Sequence, residues 1–134
     1  MKRDVKVIYF SPTRTTCTIV NTIASEISGD GYSGIDITSR ENRERSYTFD
    51  PDELVIMGMP VYAGRIPQTV IPFLNSIKAH GTPVVPVVVY GNRDYDDALL
   101  ELSDLMKDAG FKPVAAGAFI GEHSYSRDDA PIAM

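Results

Sequence analysis

The spacing of hydrophobic residues changes several times along the chain, and each change marks the border of a predicted element. Uninterrupted apolar runs rich in valine and isoleucine are typical of strands that are buried on both faces. Apolar residues that recur every three or four positions indicate helices with one buried face. The apolar runs predict strands at residues 5–10, 34–37, 54–59, 84–90 and 114–120.

Three segments between these runs have helical periodicity. Ile19, Ile23 and Ile27 predict a helix that starts near Thr16 and ends at Gly29. A second helix is predicted over residues 68–78, with Pro72 tolerated only in its first turn. The third predicted helix has Asp94 as its cap, ends at Gly110 and buries Ala98, Leu102, Leu105 and Ala109. The polar residues 38–53 are interpreted as a surface connection with one helical turn.

Strands that alternate with helices predict an α/β fold, a doubly wound parallel sheet covered on both faces. In such sheets the ligand binds at the carboxyl ends of the strands. Three of these ends run into loops with glycine, proline, hydroxyl or aromatic residues, at residues 11–16, 59–67 and 90–97. The predicted ligand site therefore lies where these three loops meet. Pro86 is unexpected inside the fourth strand, because proline has no amide hydrogen to donate to a neighbouring strand.

Composition limits the class of protein. The chain has 134 residues, 43% of them hydrophobic, which fits one domain with a core. Cys17 is the only cysteine, and the first apolar run is too short for a signal peptide or a membrane span. A soluble cytoplasmic protein is the expectation, with no membrane contact. The net charge of −5 also argues against nucleic acid as a partner.

The first loop, Ser11-Pro12-Thr13-Arg14-Thr15-Thr16, joins a strand to a helix and carries four hydroxyl groups. A helix N-terminus presents free amides and a positive dipole end, so it binds anions. No lysine of a Walker motif and no G-x-G-x-x-G pattern is present, which leaves a phosphate monoester as the best fit. The simpler interpretation is that these hydroxyls only cap the helix, although one hydroxyl suffices for a cap.

This loop resembles the phosphate loop of flavodoxins, Ser/Thr-x-Thr-Gly-x-Thr, with Arg14 in place of the glycine. If that position requires a positive φ, Arg14 is strained there. The resemblance covers nearly the whole chain. The segments GMPVYAGRIP (58–67), VVYGNRDYDDALLEL (88–102) and AFIGEHSYS (118–126) are similar to the flavodoxin-like domain of flavodoxin–ferredoxin fusion proteins of anaerobic bacteria. The resemblance implies a single flavodoxin-like domain over residues 1–134, with a five-stranded parallel sheet in the order 2-1-3-4-5.

The resemblance also implies FMN as cofactor, with no catalytic residue and no metal. In the family the phosphate loop holds the FMN phosphate, and the second and third loops hold the ring between aromatic side chains, here Tyr62 and Tyr95. The Ala63-Gly64 peptide is placed where a flip accompanies flavin reduction, and Gly91-Asn92 where amides meet the pyrimidine edge. For these residues the alternatives are exposed rim tyrosines and simple turns. The full predicted set is Ser11, Thr13, Arg14, Thr15, Thr16, Pro60, Val61, Tyr62, Ala63, Gly64, Tyr90, Gly91, Asn92 and Tyr95.

Electron transfer between redox partner proteins is the function that the resemblance implies. Two alternatives stay open: an FMN-dependent oxidoreductase acting on a small substrate, and a flavin-free interaction module with this fold. A response-regulator receiver has the same strand order but needs an aspartate where this chain has Gly58-Met59-Pro60. The acidic residues Asp94, Asp96, Asp97, Glu101 and Asp104 are interpreted as a solvated helix face, with docking of a redox partner as the alternative.

Flavodoxins end in a fifth helix, and only about 14 residues follow the last predicted strand here, including Pro131. We therefore expect a C-terminally short domain that lacks this helix. Each large apolar side chain left bare costs about 1.5–3 kcal/mol, so several of them rival the stability of a whole domain. The sequence predicts that a second copy or another chain covers that face. An iron–sulfur domain is not encoded, since a cluster needs about four cysteines.

Overall fold

The computed structural model describes residues 4–91 and 96–121 of the chain. No helix in these two ranges is long and apolar enough to cross a bilayer. The helices are α1 (Thr15–Ser28), α2 (Arg40–Arg43), α3 (Ile71–Ser76) and α4 (Asp96–Asp108), and a 3₁₀ turn at Gln68–Val70 precedes α3. The strands are β1 (Asp4–Tyr9), β2 (Tyr32–Asp36), β3 (Thr48–Phe49), β4 (Glu53–Pro60), β5 (Lys78–Ala79), β6 (Pro83–Tyr90), β7 (Lys112–Pro113) and β8 (Gly117–Ile120).

The main sheet is parallel throughout. Its order is β2-β1-β4-β6, and β7 and β8 share the next position, both beside β6. When β7 and β8 are counted as one broken strand and the two short strands β3 and β5 are set aside, the order is 2-1-3-4-5. This confirms the predicted doubly wound α/β fold. The register aligns the strand ends, because Tyr9 pairs with Gly58 and Pro60 pairs with Val89.

The predicted fifth strand, residues 114–120, is broken in the structure. β7 ends at Pro113, residues 114–116 are not in a strand, and β8 begins at Gly117. The break lies beside Pro86. The carbonyls of Val84 and Tyr90 accept hydrogen bonds from this outer side, at 3.0 and 2.9 Å. Because strand residues two apart face the same neighbour, Pro86 also faces outward, so its missing amide falls at the gap between β7 and β8. Proline is thus accommodated inside a full-length strand.

The connection at residues 38–53 is more structured than the sequence predicts. It contains the predicted helical turn, α2, but also β3, which pairs with β5 in a small second sheet. Phe49 of β3 is 2% exposed and packs against Tyr47 and Phe111. Two aromatic side chains in a polar segment therefore belong to the core. The predicted helix at residues 68–78 is correspondingly shorter, because residues 78–79 form β5, and Pro72 does lie in the first turn of α3.

Two hydrophobic clusters lie on opposite faces of the sheet. The larger cluster packs α3 and α4 through Phe73, Leu74, Ala98, Leu102 and Met106. Met106 is fully buried and was missed by the predicted stripe, while Leu105 and Ala109 lie at its margin.

The smaller cluster packs only α1 among the described helices. Leu54, Val85 and Phe119 at its edge are half-buried. The expected absence of a fifth helix concerns residues 122–134, which lie outside the described ranges. Coverage of this face by a second chain stays a prediction.

Gly58 lets α1 approach β4 closely. A Cβ built at Gly58 would overlap Cγ1 of Val20 and lie 3.0 Å from Cγ2 of Thr16. Both neighbours are at most 2% exposed and belong to α1, so neither side chain has free space to move into. The position of α1 on the sheet therefore depends on the absence of a side chain at residue 58.

Gly58→Ala is expected to lower the free energy of unfolding by about 1–3 kcal/mol, because it overpacks a filled interface. Gly34→Ala is the matched control. There a Cβ would meet only Cε2 of Tyr9 at 3.7 Å and the Val7 carbonyl at 3.9 Å, both ordinary contacts. Urea unfolding of the flavin-free protein measures both variants. Equal stability of the two would contradict the close approach.

An ion pair crosses the sheet from β1 to β4. Lys6 Nζ lies 2.5 Å from Oε2 of Glu53, whose side chain is 10% exposed. Oε1 of Glu53 also accepts the amide of Asp50 at 2.7 Å. Burial by itself raises the pKa of the Glu53 carboxyl, but the hydrogen bonds and charge of Lys6 and the Asp50 amide outweigh it, and the net pKa is below its ordinary value.

A carboxyl whose pKa is lower in the folded state stabilises the fold above its unfolded pKa and loses that effect as the pH falls through the folded pKa. We therefore expect the stability gap between the wild type and Glu53→Gln to be fully present at pH 6 and to shrink below about pH 4.5. Urea unfolding from pH 3 to pH 7 measures it. Glu26→Gln, at an exposed position of α1, controls for the loss of one charge. A gap that stayed constant down to pH 3 would contradict this role for Glu53.

Candidate functional site

The three predicted loops leave the sheet at the same edge, from adjacent strands. Phe10 N donates to the Gly58 carbonyl at 3.2 Å, which ties the first loop to β4. Val61 N donates to the Val89 carbonyl at 2.9 Å, which ties the second loop to β6. The third loop begins at Gly91, directly after β6. The backbone pairing therefore brings all three loop starts together, as the alternating pattern predicted.

Ser11 fixes the first loop through two hydrogen bonds, one of its side chain and one of its backbone amide. Its Oγ accepts the amide of Cys17 at 2.9 Å, and its own amide donates to Oγ1 of Thr38 at 2.7 Å. Thr38 follows β2, and sequence analysis missed it because it is distant in the chain. The N-cap residue of α1 is Arg14, and Ser11 satisfies one amide of the first turn from outside the helix, which is close to the simpler capping role considered for the hydroxyls.

One hydroxyl uses up only one of the free amides of the helix. Within residues 4–91 and 96–121, the amides of Thr15 and Thr16 have no protein acceptor. The Thr16 hydroxyl also has no hydrogen-bond partner in those ranges, although Thr16 is only 2% exposed. An unsatisfied buried polar group is costly unless a ligand or water satisfies it. The start of α1, a helix of 14 residues, therefore has donors that could hold an anion.

Arg14 occupies the position where flavodoxin loops have glycine, and its backbone keeps the glycine geometry. Its φ is 75° and its ψ is −11°, in the left-handed region. The carbonyl of Arg14 accepts from both the amide and the hydroxyl of Thr18, at 3.0 and 2.9 Å. The positive φ on which the expected strain depends is therefore present, and the strain itself stays a prediction. Arg14 is exposed and precedes the free amides of Thr15 and Thr16 in the chain, and Thr13 before it is also exposed.

Tyr9, at the end of β1, adds a group that stays uncharged. Burial, a hydrogen bond with Cys17 and the charge of Asp36 raise the pKa of the Tyr9 phenol to about 12, against a smaller opposite effect of Arg14. The phenol is therefore neutral at physiological pH, and it adds no negative charge near Arg14 and the start of α1.

The second loop contains a tight turn at Tyr62–Arg65. The two end residues exchange backbone hydrogen bonds at 2.7 and 3.0 Å, and both central residues have positive φ, 52° at Ala63 and 81° at Gly64. This is the geometry of a type I′ turn, in which alanine at the first central position is unfavourable. Tyr62 is 49% exposed and Pro60 and Val61 are half-buried, so a flat apolar surface is open to solvent here.

Arg65 and Glu101 connect this turn to α4. Oε2 of Glu101 contacts Nη2 of Arg65, and Oε1 accepts the amide of Ile66 at 3.3 Å. The Glu101 side chain is only 19% exposed. The interpretation of Glu101 as part of a solvated helix face is therefore wrong. Its partners are more than thirty positions away in the chain, and no local pattern indicates them.

The third loop is described only at its start. Tyr90 is half-buried and Gly91 is exposed at the end of β6. Asn92 and Tyr95 lie outside the described residues, so their predicted contacts with the ring and its edge stay predictions. The same holds for the cap at Asp94.

Comparison with known proteins supports the fold. No protein-family model and no curated protein matches this sequence. Among solved structures, the chain is similar to the FMN-bound flavodoxin of Fusobacterium nucleatum (20% identity, TM-score 0.63, 84% of this chain and 69% of that one). It is also similar to the flavodoxin of Streptococcus pneumoniae TIGR4 (14% identity, TM-score 0.65, 90% and 88%) and to an NADH:FMN oxidoreductase in its apo form (15%, 0.69, 96% and 82%).

These likenesses define the class of structure: the chain has the flavodoxin-like fold. Identities of this size establish the fold alone. The particular similarity to the fusion proteins of anaerobic bacteria is not tested by them and stays a prediction.

Arg14→Gly is expected to raise the free energy of unfolding of the flavin-free protein by up to about 1 kcal/mol, because glycine adopts positive φ without the Cβ penalty. Arg14→Gln is the matched control, since it removes the charge and keeps the Cβ. Urea unfolding compares the two variants. If Arg14→Gly is no more stable than Arg14→Gln, the left-handed conformation at residue 14 is not strained.

Proposed function

We propose that this protein binds FMN at the edge formed by the three loops and works as an electron carrier between redox proteins. The observation that carries the proposal is the open start of α1, where two backbone amides and one buried hydroxyl lack partners within the described ranges. A flat, exposed tyrosine lies on a neighbouring loop of the same edge. One ligand that is anionic at one end and planar at the other fits both.

The phosphate of FMN fits the first loop. The amides of Thr15 and Thr16 and the hydroxyl of Thr16 supply donors, and Arg14 supplies a positive charge. Ser11 accepts the Cys17 amide through a lone pair of its hydroxyl oxygen, so its O–H proton stays available as a further donor to the phosphate. Thr13 is exposed and Thr15 is half-buried in the same loop, and both add hydroxyl groups to the proposed set.

The isoalloxazine ring fits the second and third loops. Tyr62 offers a ring face for stacking, which is worth about 0.5–1.5 kcal/mol per aromatic pair beyond area burial. The Ala63–Gly64 peptide lies in a turn in which both residues are left-handed. Because Gly64 has no Cβ, its backbone can change conformation at low energetic cost, so the peptide can reorient. Pro60, Val61, Tyr90 and Gly91 border the same edge, and Asn92 and Tyr95 complete the proposed set.

When bound, FMN supplies the redox chemistry, and the chain binds it, orients it and sets its potential. The net charge of −5 disfavours the anionic reduced form and so lowers the potential. The same negative charge suits docking to a redox partner with a basic surface.

An FMN-dependent oxidoreductase is the second candidate, because one similar structure is an NADH:FMN oxidoreductase. Such an enzyme needs a nicotinamide or substrate site over the flavin. Neither the sequence nor the described part of the edge offers a motif for one. A carrier needs only an exposed flavin edge and a docking surface, so the carrier is favoured.

Titration of the flavin-free protein with FMN and with riboflavin, followed by flavin fluorescence, tests the binding. Because charge-assisted hydrogen bonds contribute about 1.5–3 kcal/mol each, FMN should bind at least about 100-fold more tightly than riboflavin. Thr16→Val should weaken FMN about tenfold, at the low end of the same range, and leave riboflavin unchanged. Thr22→Val is the control, since that hydroxyl already donates to the Thr18 carbonyl.

Absence of FMN binding, or equal binding of both flavins, would overturn the proposal. Absorbance of the FMN-loaded protein during incubation with NADH or NADPH separates the two candidates. A carrier leaves the nicotinamide unoxidised until an external reductase is added, whereas an oxidoreductase consumes it alone.

A further inference from the structure

Glu101 is attached to the second loop at two points. One carboxylate oxygen contacts Nη2 of Arg65, and the other accepts from Nε of Arg65 at 3.4 Å and from the amide of Ile66 at 3.3 Å. The Glu101 side chain is 19% exposed and that of Arg65 is 57% exposed, so the carboxylate is the more enclosed partner. Its charge-assisted hydrogen bond to a backbone amide ties it to the main chain of the loop as well as to a side chain.

The segment that Glu101 contacts includes the turn at Tyr62–Arg65, which would lie against the flavin. At one end, Val61 is anchored to the Val89 carbonyl at 2.9 Å, and at the other, Ile66 is 1% exposed in the core. Between them, the turn at Tyr62–Arg65 projects from the sheet edge and carries two left-handed residues. Glu101 connects the far side of this projection to α4, and α4 is the helix into which the third loop runs.

We propose that Glu101 is a positioning residue for the flavin: through Arg65 and Ile66 it fixes the turn at Tyr62–Arg65, and it neutralises a cation beside the ring, so that it sets the midpoint potential. This inference rests on the proposed function, because it requires FMN at this edge. Glu101 itself need not touch the ring.

The two charges of the pair predict opposite effects on the potential. Reduced flavin is anionic, so a cation set free near the ring favours reduction and an unpaired carboxylate opposes it. Glu101→Gln frees the charge of Arg65 and should raise the midpoint potential. Arg65→Gln frees the charge of Glu101 and should lower it. A pair with a purely structural role would shift the potential in the same direction in both variants.

Redox titration of the FMN-loaded wild type, Glu101→Gln, Arg65→Gln and the double variant is the test. The double variant should return towards the wild-type potential, since both charges are removed. Asp104→Asn is the matched control, because it removes the same charge from an exposed position of the same helix. It should shift the potential by less than a third of the Glu101→Gln shift. Single variants that shift the potential in one common direction, or an unmoved potential, would overturn the inference.

A second readout requires no flavin. Amide hydrogen exchange of the flavin-free protein should be about tenfold faster at Ile66 in Glu101→Ala, because the amide loses its acceptor, and unchanged in Asp104→Asn. Unchanged exchange in Glu101→Ala would show that the carboxylate does not hold the loop. If the wild type binds FMN and the potentials do not move, this inference fails and the proposed function stands. If the wild type binds no FMN, both fail, and the exchange rates report only on the attachment.

Discussion

The unpaired amides in the first turn of α1 are the constraint on which the rest of the site depends. A helix start leaves donors that its own carbonyls cannot satisfy, and here the Ser11 hydroxyl takes only the amide of Cys17. The amides of Thr15 and Thr16 then point into the loop without a partner in the described part of the chain. The same loop contains the left-handed Arg14 and is held by the hydrogen bond that the Ser11 amide donates to Oγ1 of Thr38.

The surrounding packing fixes where this helix start lies. Gly58 has no side chain, so Val20 and Thr16 of α1 lie directly on β4. The same strand continues through Pro60 into the turn at Tyr62–Arg65. β4 therefore sets the distance between the start of α1 and the exposed Tyr62. The first loop is positioned by α1, which packs on β4, and the second loop is the continuation of β4 itself. This link relates the positions of two loops that are distant in sequence.

Much of this could be predicted from the sequence, because the signals are local. Apolar runs and four-residue repeats depend on neighbouring residues, so the alternation of strands and helices and the position of α1 follow directly, whereas the strand order came from the resemblance. The open helix start follows from hydroxyl residues after an apolar strand. Arg14 in a glycine position raised the question of a positive φ, and its φ of 75° answers it.

The parts that could not be predicted depend on contacts between distant residues. Pro86 is tolerated because the outer strand breaks beside it, which the local pattern around Pro86 cannot show. Phe49 belongs to a polar segment of the sequence and is nevertheless buried, because β3 pairs with β5 about thirty positions later in the chain. Glu101 lies among acidic residues in a sequence typical of a solvated helix face, yet from α4 it pairs with Arg65 in the second loop. In each case the partner, and not the residue's own surroundings in the chain, decides the outcome.

The most direct measurement is an amide proton–nitrogen NMR spectrum of the ¹⁵N-labelled, flavin-free protein during titration with FMN. The account predicts that the amide signals of Thr15 and Thr16 shift most within α1, and that the signal of Cys17 shifts less because Ser11 keeps its amide. Titration with riboflavin should leave the Thr15 and Thr16 signals in place. If FMN binds without moving these two amides, or moves Cys17 more than either, the start of α1 is not the phosphate site and the account is wrong.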